Sequence, residues 1–486
     1  MHFIQSENRS QYVMMNKLDD LVHDNHYVRL IDIFVDYFMQ ENQEHFSLKG
    51  TQLVGRKAYS PASLLKLYIY SYLNSISSSR KIEKECSRNI EVIWLMGHLV
   101  PDHKTISDFR RENTEGINQV FLKLVGLLKD NGYVKGKTIS IDGSKIRANA
   151  GISIDLDEIS KRIENAEEQL GKYLQQIELT DSIDEEIEAA KQEKTQLTEE
   201  ISKLQEKVDE LKREKEELER QGLKHMSPTD PESRIMKGRQ GKHYCYNVQS
   251  VVDSENKMIA NIAVLSDEND KGQLLPMVEK VEKEINLKPD EVLADAGYYM
   301  LNQIEYLEKE KNIDCYIAIN YNQEQTKKQK FGIEFYYNAE QDIYKCSKEG
   351  ILTPKSGLKK DSRRGTLAQR YMGVNCKKCS IKKACTPSIA RSVYRYTNQH
   401  WRDAYEAKMK SKQGKSKLIL RKTLSEHPFG TIKNWMGFIP LKTRGKTKVK
   451  AEINLYAIAY NLKRLINMEG FEKAVKIFNQ YEPNLA

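Results

Sequence analysis

KTISIDGSKIR, residues 137–147, alternates polar and apolar positions: Thr138, Ser140 and Asp142 interleave with Ile139 and Ile141. A period of two marks a strand, and Gly143 reads as the turn that ends it. The strand therefore delivers a carboxylate, Asp142, at its end. Downstream, NVQSVVDSENKMIANIAVLS (247–266) reads as a hairpin, with β-rich arms around the turn residues Asp253–Asn256. EVLADAGY (291–298) is a second short apolar strand that ends on an acid, Asp295, just before Ala296 and Gly297. Strand, hairpin, helix, strand and then helices from about 455 is an order that suits a mixed α/β sheet.

Upstream, residues 1 to about 130 read as helical. LIDIFVDYF (30–38) is apolar at helical spacing, and Ser60-Pro61 opens SPASLLKLYIYSYLN as an N-cap followed by proline in the first turn. Thr105-x-x-Asp108 reads as a capping box for another helix. Several short helices of this kind fit a compact DNA-binding module or a plain bundle. Between the first strand and the hairpin lies an insertion, about 155–225. Leu156, Ile159, Ile163, Ala166, Leu170, Tyr173 and Ile177 recur at heptad spacing, as do Leu197, Ile201, Leu204, Val208, Leu211 and Leu218. The polar TDSIDEE between the arms predicts an antiparallel helical hairpin, each arm roughly 30–37 Å long at 1.5 Å per residue; pairing between two chains is the alternative.

The chain has 486 residues and a net charge of +9. Residues 351–450 hold 26 Lys and Arg against Asp361, Asp403, Glu406 and Glu426, a net +22, so the rest of the chain sums to −13. Such a block calls for a polyanion, with nucleic acid ahead of an anionic membrane, since no basic amphipathic helix with an aromatic face stands out. Mean hydropathy is −0.67, and no run of 18 apolar residues predicts a transmembrane helix. MHFIQSENRSQ lacks the pattern of a secretory leader, so a cytoplasmic protein with reduced cysteines is expected. GxxxxGK[ST], HExxH and GxSxG are all absent from the sequence. That argues against an ATP-driven machine, a zincin and a serine hydrolase.

Two constellations remain. Acids at strand ends converge at one edge of a sheet, and hard carboxylate oxygens suit Mg²⁺ or Mn²⁺. Two such ions about 4 Å apart drive phosphoryl transfer. Asp142 and Asp295 need a third acid. Glu426, in RKTLSEHPFGTIKNWMGF, stands among Arg421, Lys422 and Lys433, with the basic run from Arg444 beyond; such cations hold phosphates while the acid holds metal. The second constellation is Cys346 with Cys376-x-x-Cys379 and Cys385, either a Zn²⁺ knuckle or four reduced thiols. Cys86, Cys245 and Cys315 are isolated, as core cysteines are.

Taken as blocks, these residues resemble the bacterial insertion-sequence transposases of the DDE type, in the branch with a YREK-like signature. The resemblance rests on YSPASLLKLYIYSYLNSISSSRKIEKECSRNIEVIWLMG with PDHKTISDFRREN, on IDGSKIRANA, on DPESRIMKGRQGKHYCYNVQSVVD, on LADAGYY and on SEHPFGTIKNWMG, in that order. It implies an RNase H-like mixed sheet as catalytic domain, an all-α N-terminal domain and the inserted helical hairpin. The domains would be 1–132, helical and DNA-end-binding; 133–154 with 226–345, the first part of the core; 155–225, the coiled-coil hairpin; 346–400, a basic Cys-containing insertion; and 401–486, the rest of the core. It implies Asp142, Asp295 and Glu426 as the metal-binding acids, Mg²⁺ or Mn²⁺ as cofactor, and Lys433 as the signature lysine. The signature arginine falls on Lys422, with Arg421 beside it, and the signature tyrosine on Ile419. Cleavage and transfer of double-stranded DNA by a homodimer on the transposon ends, without nucleotide cofactor or membrane, is the implied function. A DNA-binding remnant, a nuclease that does not join and a coiled-coil adaptor are the alternatives; intact acids speak against the first and the basic block against the last.

Overall fold

The computed structural model describes residues 17–47, 58–151, 153–181, 188–238, 241–319, 333–348, 350–360, 367–435 and 440–479. The amino-terminal stretch read for a leader lies outside them. The first helices are α1 (Tyr27–Asn42), α2 (Pro61–Leu73), α3 (Ser79–Cys86), α4 (Ile90–Met96), α5 (His103–Glu112) and α6 (Thr114–Asp130). Every residue of α2 from Leu64 to Tyr72 is buried, so this helix is wrapped on all sides. The start of α5 corrects the capping-box reading. Asp102, not Thr105, is the cap: its Oδ1 accepts from the backbone N–H of Lys104 and of Thr105, both at 2.9 Å, and so takes two of the donors a helix start leaves unpaired.

β1 (Thr138–Arg147) is the spine of the first sheet. It does not turn at Gly143; pairing with β5 continues unbroken from Asp142 opposite Ser250 to Arg147 opposite Cys245. Asp142 therefore sits within a strand rather than at its end. Glycine is needed at 143 for close approach rather than for a bend, because a Cβ there would lie 2.2 Å from Asp270 Oδ1. After β1 come β2 (Ile154–Asp155), α7 (Leu156–Asp181), α8 (Glu188–Arg220) and β3 (His225–Met226). β2 and β3 pair antiparallel at the base, Ile154 opposite Met226. Ile159 and Ile163 of α7 are buried with Leu211 and Leu218 of α8, while Leu170 and Leu204 are half-buried. The turn expected within TDSIDEE falls largely on residues outside those described.

The sheet continues with β4 (Arg234–Gly238), β5 (Gly241–Asp253), β6 (Ile259–Leu265), α9 (Leu274–Ile285), β7 (Glu291–Ala294), α10 (Leu301–Lys309) and β8 (Asp314–Ile317). β5 is antiparallel to β1 on one side, and to β4 and β6 on the other. β7 and β8 extend the opposite edge of β1 in parallel. A second, five-stranded antiparallel sheet follows: β9 (Phe335–Asn338), β10 (Ile343–Cys346), β11 (Ile351–Lys360), β12 (Leu367–Gly373) and β13 (Ser392–Tyr396), in the order β13-β12-β11-β10-β9. It begins ahead of the boundary read at 346, because Tyr344 of β10 pairs with Tyr337 on one side and Leu352 on the other. The short helix α11 (Lys382–Cys385) lies between β12 and β13.

Three helices complete the fold: α12 (Gln399–Lys410), α13 (Lys412–Trp435) and α14 (Lys446–Asn479), the last interrupted at Gly470, whose φ of 76° and ψ of 171° are not helical. α14 joins the ends of the chain. Tyr456 stacks on Tyr72 of α2 at 4.0 Å between ring centroids, and Phe478 meets Phe34 of α1. The same helix guards the free edge of β6: Asn461 Oδ1 accepts from Ile259 N–H and its Nδ2 donates to Ile259 C=O, both at 2.9 Å. Its buried Glu452 accepts from the backbone N–H of Lys442 and Thr443 and lies 3.8 Å from the buried Arg110. No helix among the described residues is long and apolar enough to cross a membrane.

Candidate active site

Parallel pairing of β1 with β7 sets Ser140 opposite Leu293, and the same register brings Asp142 opposite Asp295. Neighbouring strands stand about 4.8 Å apart, so two acids separated by a hundred and fifty residues become neighbours. Asp295 directly follows β7 and caps the turn after it, its Oδ1 accepting from Gly297 N–H at 2.7 Å. α13 crosses this edge. Gln413 Nε2 donates to Tyr316 OH at 2.8 Å, Lys417 pairs with Glu291, and Leu424 is fully buried. Residues 413, 417, 421 and 424 recur at helical spacing and form the face turned to the sheet. From it, Arg421 Nη1 reaches 3.7 Å from Asp142 Oδ1 and 3.9 Å from Asp295 Oδ2.

Burial pushes the Asp142 carboxyl up to about 6; Arg421 opposes the rise, and the charges of Asp295 and Asp270 add to it. Asp270 is the residue sequence reading missed. Its Oδ1 accepts from Asn247 Nδ2 at 2.8 Å and Gln249 Nε2 at 2.7 Å, and it lies against both Gly143 and Gly297. The available signal was the pair Asn247 and Gln249, two amides two residues apart on one face of a strand whose later residues are buried.

The remaining expected residues are placed as follows. Glu426 lies on α13, five residues beyond Arg421, but its side chain and that of Lys433 fall outside the described residues. Its neighbour His427 anchors this part of the helix to α14, with Nδ1 2.9 Å from Tyr460 OH; burial, then Arg464 and Lys257, hold its imidazole below the ordinary value. Glu406, the other acid in reach of the basic block, is paired with Arg402 on α12 at 3.4 Å. Lys422 is exposed. Arg444 is exposed too, and its Nε donates to Asn149 C=O at 3.0 Å. Cys346, Cys376, Cys379 and Cys385 are partly exposed, free thiols near one end of the second sheet. Burial raises the Cys385 thiol, Arg391 opposes, and the other three cysteines add to the rise. Among the described residues, no three His, Cys, Asp or Glu side chains stand as a ready-made metal cluster.

Two acids on adjacent strands, with Arg421 of a basic helix reaching both, make an arrangement suited to phosphoryl transfer. A Transposase domain (DUF772) matches residues 16–112, and a Transposase DDE domain matches residues 345–466. The first takes in α1 to α5. The second takes in β11 to β13 of the second sheet, Cys346, Cys376, Cys379 and Cys385, α12, α13 and most of α14; Asp142 and Asp295 lie between the two. Two separate parts of the chain are thus similar to transposase domains, the second of the DDE type. No curated protein matches it. Among solved structures, a piggyBac transposase synaptic complex with hairpin DNA shares 9% identity at a TM-score of 0.29, covering 95% of this chain and 83% of that one, a likeness too slight to define the fold.

Proposed function

We propose that this transposase cuts and rejoins DNA at the edge of the first sheet, with Asp142, Asp295 and Glu426 holding divalent cations. The observation that carries the reading is the register that sets Asp142 beside Asp295, with Arg421 reaching both. The strand order supports an RNase H-like core: an antiparallel trio β6-β5-β1, two parallel strands added to the far edge of β1, and a helix across them. Mg²⁺ or Mn²⁺ fits the residues. The donors are hard carboxylate oxygens, and glycine at 143 and 297 lets the Asp270 carboxylate come up against both segments, adding oxygen donors beside Asp142 and Asp295. Bound there, a divalent cation pair supplies charge neutralisation for an attacking and a departing oxygen.

The chain's own residues do the rest. Asp142 and Asp295 fix the position of the charge on the rigid edge of a buried sheet. Arg421, with its guanidinium between the acids, is placed to take a scissile phosphate once cations neutralise the carboxylates. The exposed Lys422 and Arg444 offer further cations to the DNA backbone, and Lys433 is assigned to the same role from its place in the sequence. The 3′-hydroxyl freed by cleavage then attacks target DNA in the same site, so the exchange of phosphodiester bonds needs no ATP. Binding as a homodimer on two transposon ends, in the bacterial cytoplasm, completes the reading. Among the described residues, Cys346, Cys376, Cys379 and Cys385 do not stand as a ready-made metal cluster, which leaves the two readings of the sequence, a structural Zn²⁺ or four reduced thiols; one equivalent of zinc per chain by elemental analysis, lost in Cys379→Ser, would decide for the metal.

The test uses oligonucleotides carrying the element's ends, in Mg²⁺ or Mn²⁺. Asp142→Asn and Asp295→Asn are expected to lose cleavage by at least ~10³-fold, as removal of a catalytic charge does, while still binding the ends. Cleavage that survives either change would overturn the assignment. Cleaved ends that are never joined to target would favour the nuclease.

A further inference from the structure

Behind the Asp142–Asp295 edge, the sheet keeps a polar chain where apolar packing would be simpler. Asn247, Gln249 and Tyr298 are buried to within 1% of complete. Tyr298 OH donates to Gln249 Oε1, which fixes the orientation of the amide. Gln249 Nε2 then donates to Asp270 Oδ1 at 2.7 Å and to Asn247 Oδ1 at 3.0 Å, and Asn247 Nδ2 donates to the same Asp270 oxygen at 2.8 Å. Both amides thus converge on one carboxylate oxygen. Buried polar groups cost about 1–3 kcal/mol each when unsatisfied, so an arrangement that depends wholly on Asp270 demands a reason.

The reason lies in what Asp270 touches. Its Oδ1 is 2.2 Å from the point where a Cβ on Gly143 would stand, one residue after Asp142. Its Oδ2 is 3.3 Å from the equivalent point on Gly297, which is itself 2.9 Å from Asp295 Oδ1. Among the described residues, Oδ2 accepts no hydrogen bond. Asp270 therefore wedges the backbone beside both cation-holding aspartates and adds a third negative charge to their field.

We infer that Asp270 is a positioning carboxylate of the transposase site, which fixes the segments bearing Asp142 and Asp295 and strengthens their hold on the divalent cation without being one of its primary ligands. This rests on the reading of Asp142 and Asp295 as cation-holding. Outer partners of this kind are worth about 10–100-fold in metal affinity.

Asp270→Asn keeps an Oδ1 acceptor for Asn247 and Gln249 and removes the charge. In the full chain without DNA, Mn²⁺ affinity read by electron paramagnetic resonance is expected to fall about 10–100-fold. The thermal midpoint should stay unchanged. The Mg²⁺ concentration for half-maximal cleavage should rise by the same factor, with the maximal rate recovering at saturation, whereas Asp270→Glu, which keeps the charge, should recover part of the affinity. Mn²⁺ affinity within twofold of the wild type in Asp270→Asn overturns the proposal. Should that variant not fold, Gln249→Ala must shift Mn²⁺ affinity in the same direction, and no shift is equally fatal. Asp142→Asn, run alongside, must abolish Mn²⁺ binding; if it does not, the reading of the whole site falls, not that of Asp270 alone.

Discussion

The two sheets are built to opposite plans. In the first, Ile139, Ile141, Val248, Val251, Val292 and Leu293 are at most 1% exposed, and helices cover both faces. The second has one small core, Tyr344, Leu352 and Tyr371, and leaves Tyr336, Leu358, Ile389 and Tyr394 more than half exposed in the most basic part of the chain. Burial makes a carboxylate costly to ionise and keen to take a cation. Exposure leaves cations free to meet a polyanion. The first sheet can therefore hold chemistry that the second cannot, and the second offers surface that the first has spent on packing.

The largest effect that breaks this division is on turnover. Glu426→Gln is expected to lose cleavage by at least ~10³-fold and Glu406→Gln to keep it, because Glu406 is already paired with Arg402. The opposite result, measured on preassembled ends, would move the third acid to α12. Next in size is the small core. Tyr371→Ala removes a ring packed edge-on to Tyr344 and Tyr337 and should cost about 3–5 kcal/mol, read as proteolysis confined to residues 335–396. Mn²⁺ binding at the first sheet should be untouched; its loss would show that the two sheets fold as one.

A smaller effect concerns pH. The Asp142 carboxyl is held at about 6 against an ordinary 3.8, so between those values the folded protein keeps a proton that the unfolded chain has lost. Stability then falls as pH rises through the window, and the full cost stands above pH 6. In EDTA, Asp142→Asn should therefore gain up to about 3 kcal/mol at pH 7.5, at 1.36 kcal/mol per pH unit, and nothing below pH 4. A pH-independent difference would mean that packing, not charge, is responsible. The smallest effect belongs to the second sheet. Lys355→Ala with Lys359→Ala should make the salt dependence of DNA binding shallower by about 1–2 in log–log slope, and an unchanged slope would take β11 off the DNA path.

The strands that carry Asp142 and Asp295 and the β5–β6 hairpin were legible because short-range patterns decide them: a period of two, a short apolar run, a turn cluster. Gly143 misled, since glycine after an acid reads as a turn, whereas here it makes room for a side chain more than a hundred residues away. Asp270 was hidden for the same reason. Among Asp267, Glu268 and Asp270, sequence alone shows a charged loop, and only the approach of Asn247 and Gln249 singles one out. The second sheet was read as an insertion with cysteines and not as strands, because its segments are short, basic and interrupted, and β11 slips register against β12 on either side of Ser356.

α14 carries a consequence in time. It seals β6 through Asn461, buries Glu452 against Arg110 and packs on α1 and α2, yet it follows 445 residues of chain. At about 5–20 residues per second, a ribosome works for roughly 20–90 s before this helix exists. Until then the helices made first have no lid and the edge of the sheet has no guard. A nascent or prematurely ended chain therefore lacks the contacts that close the first helices and the β6 edge until the last of the sequence is made.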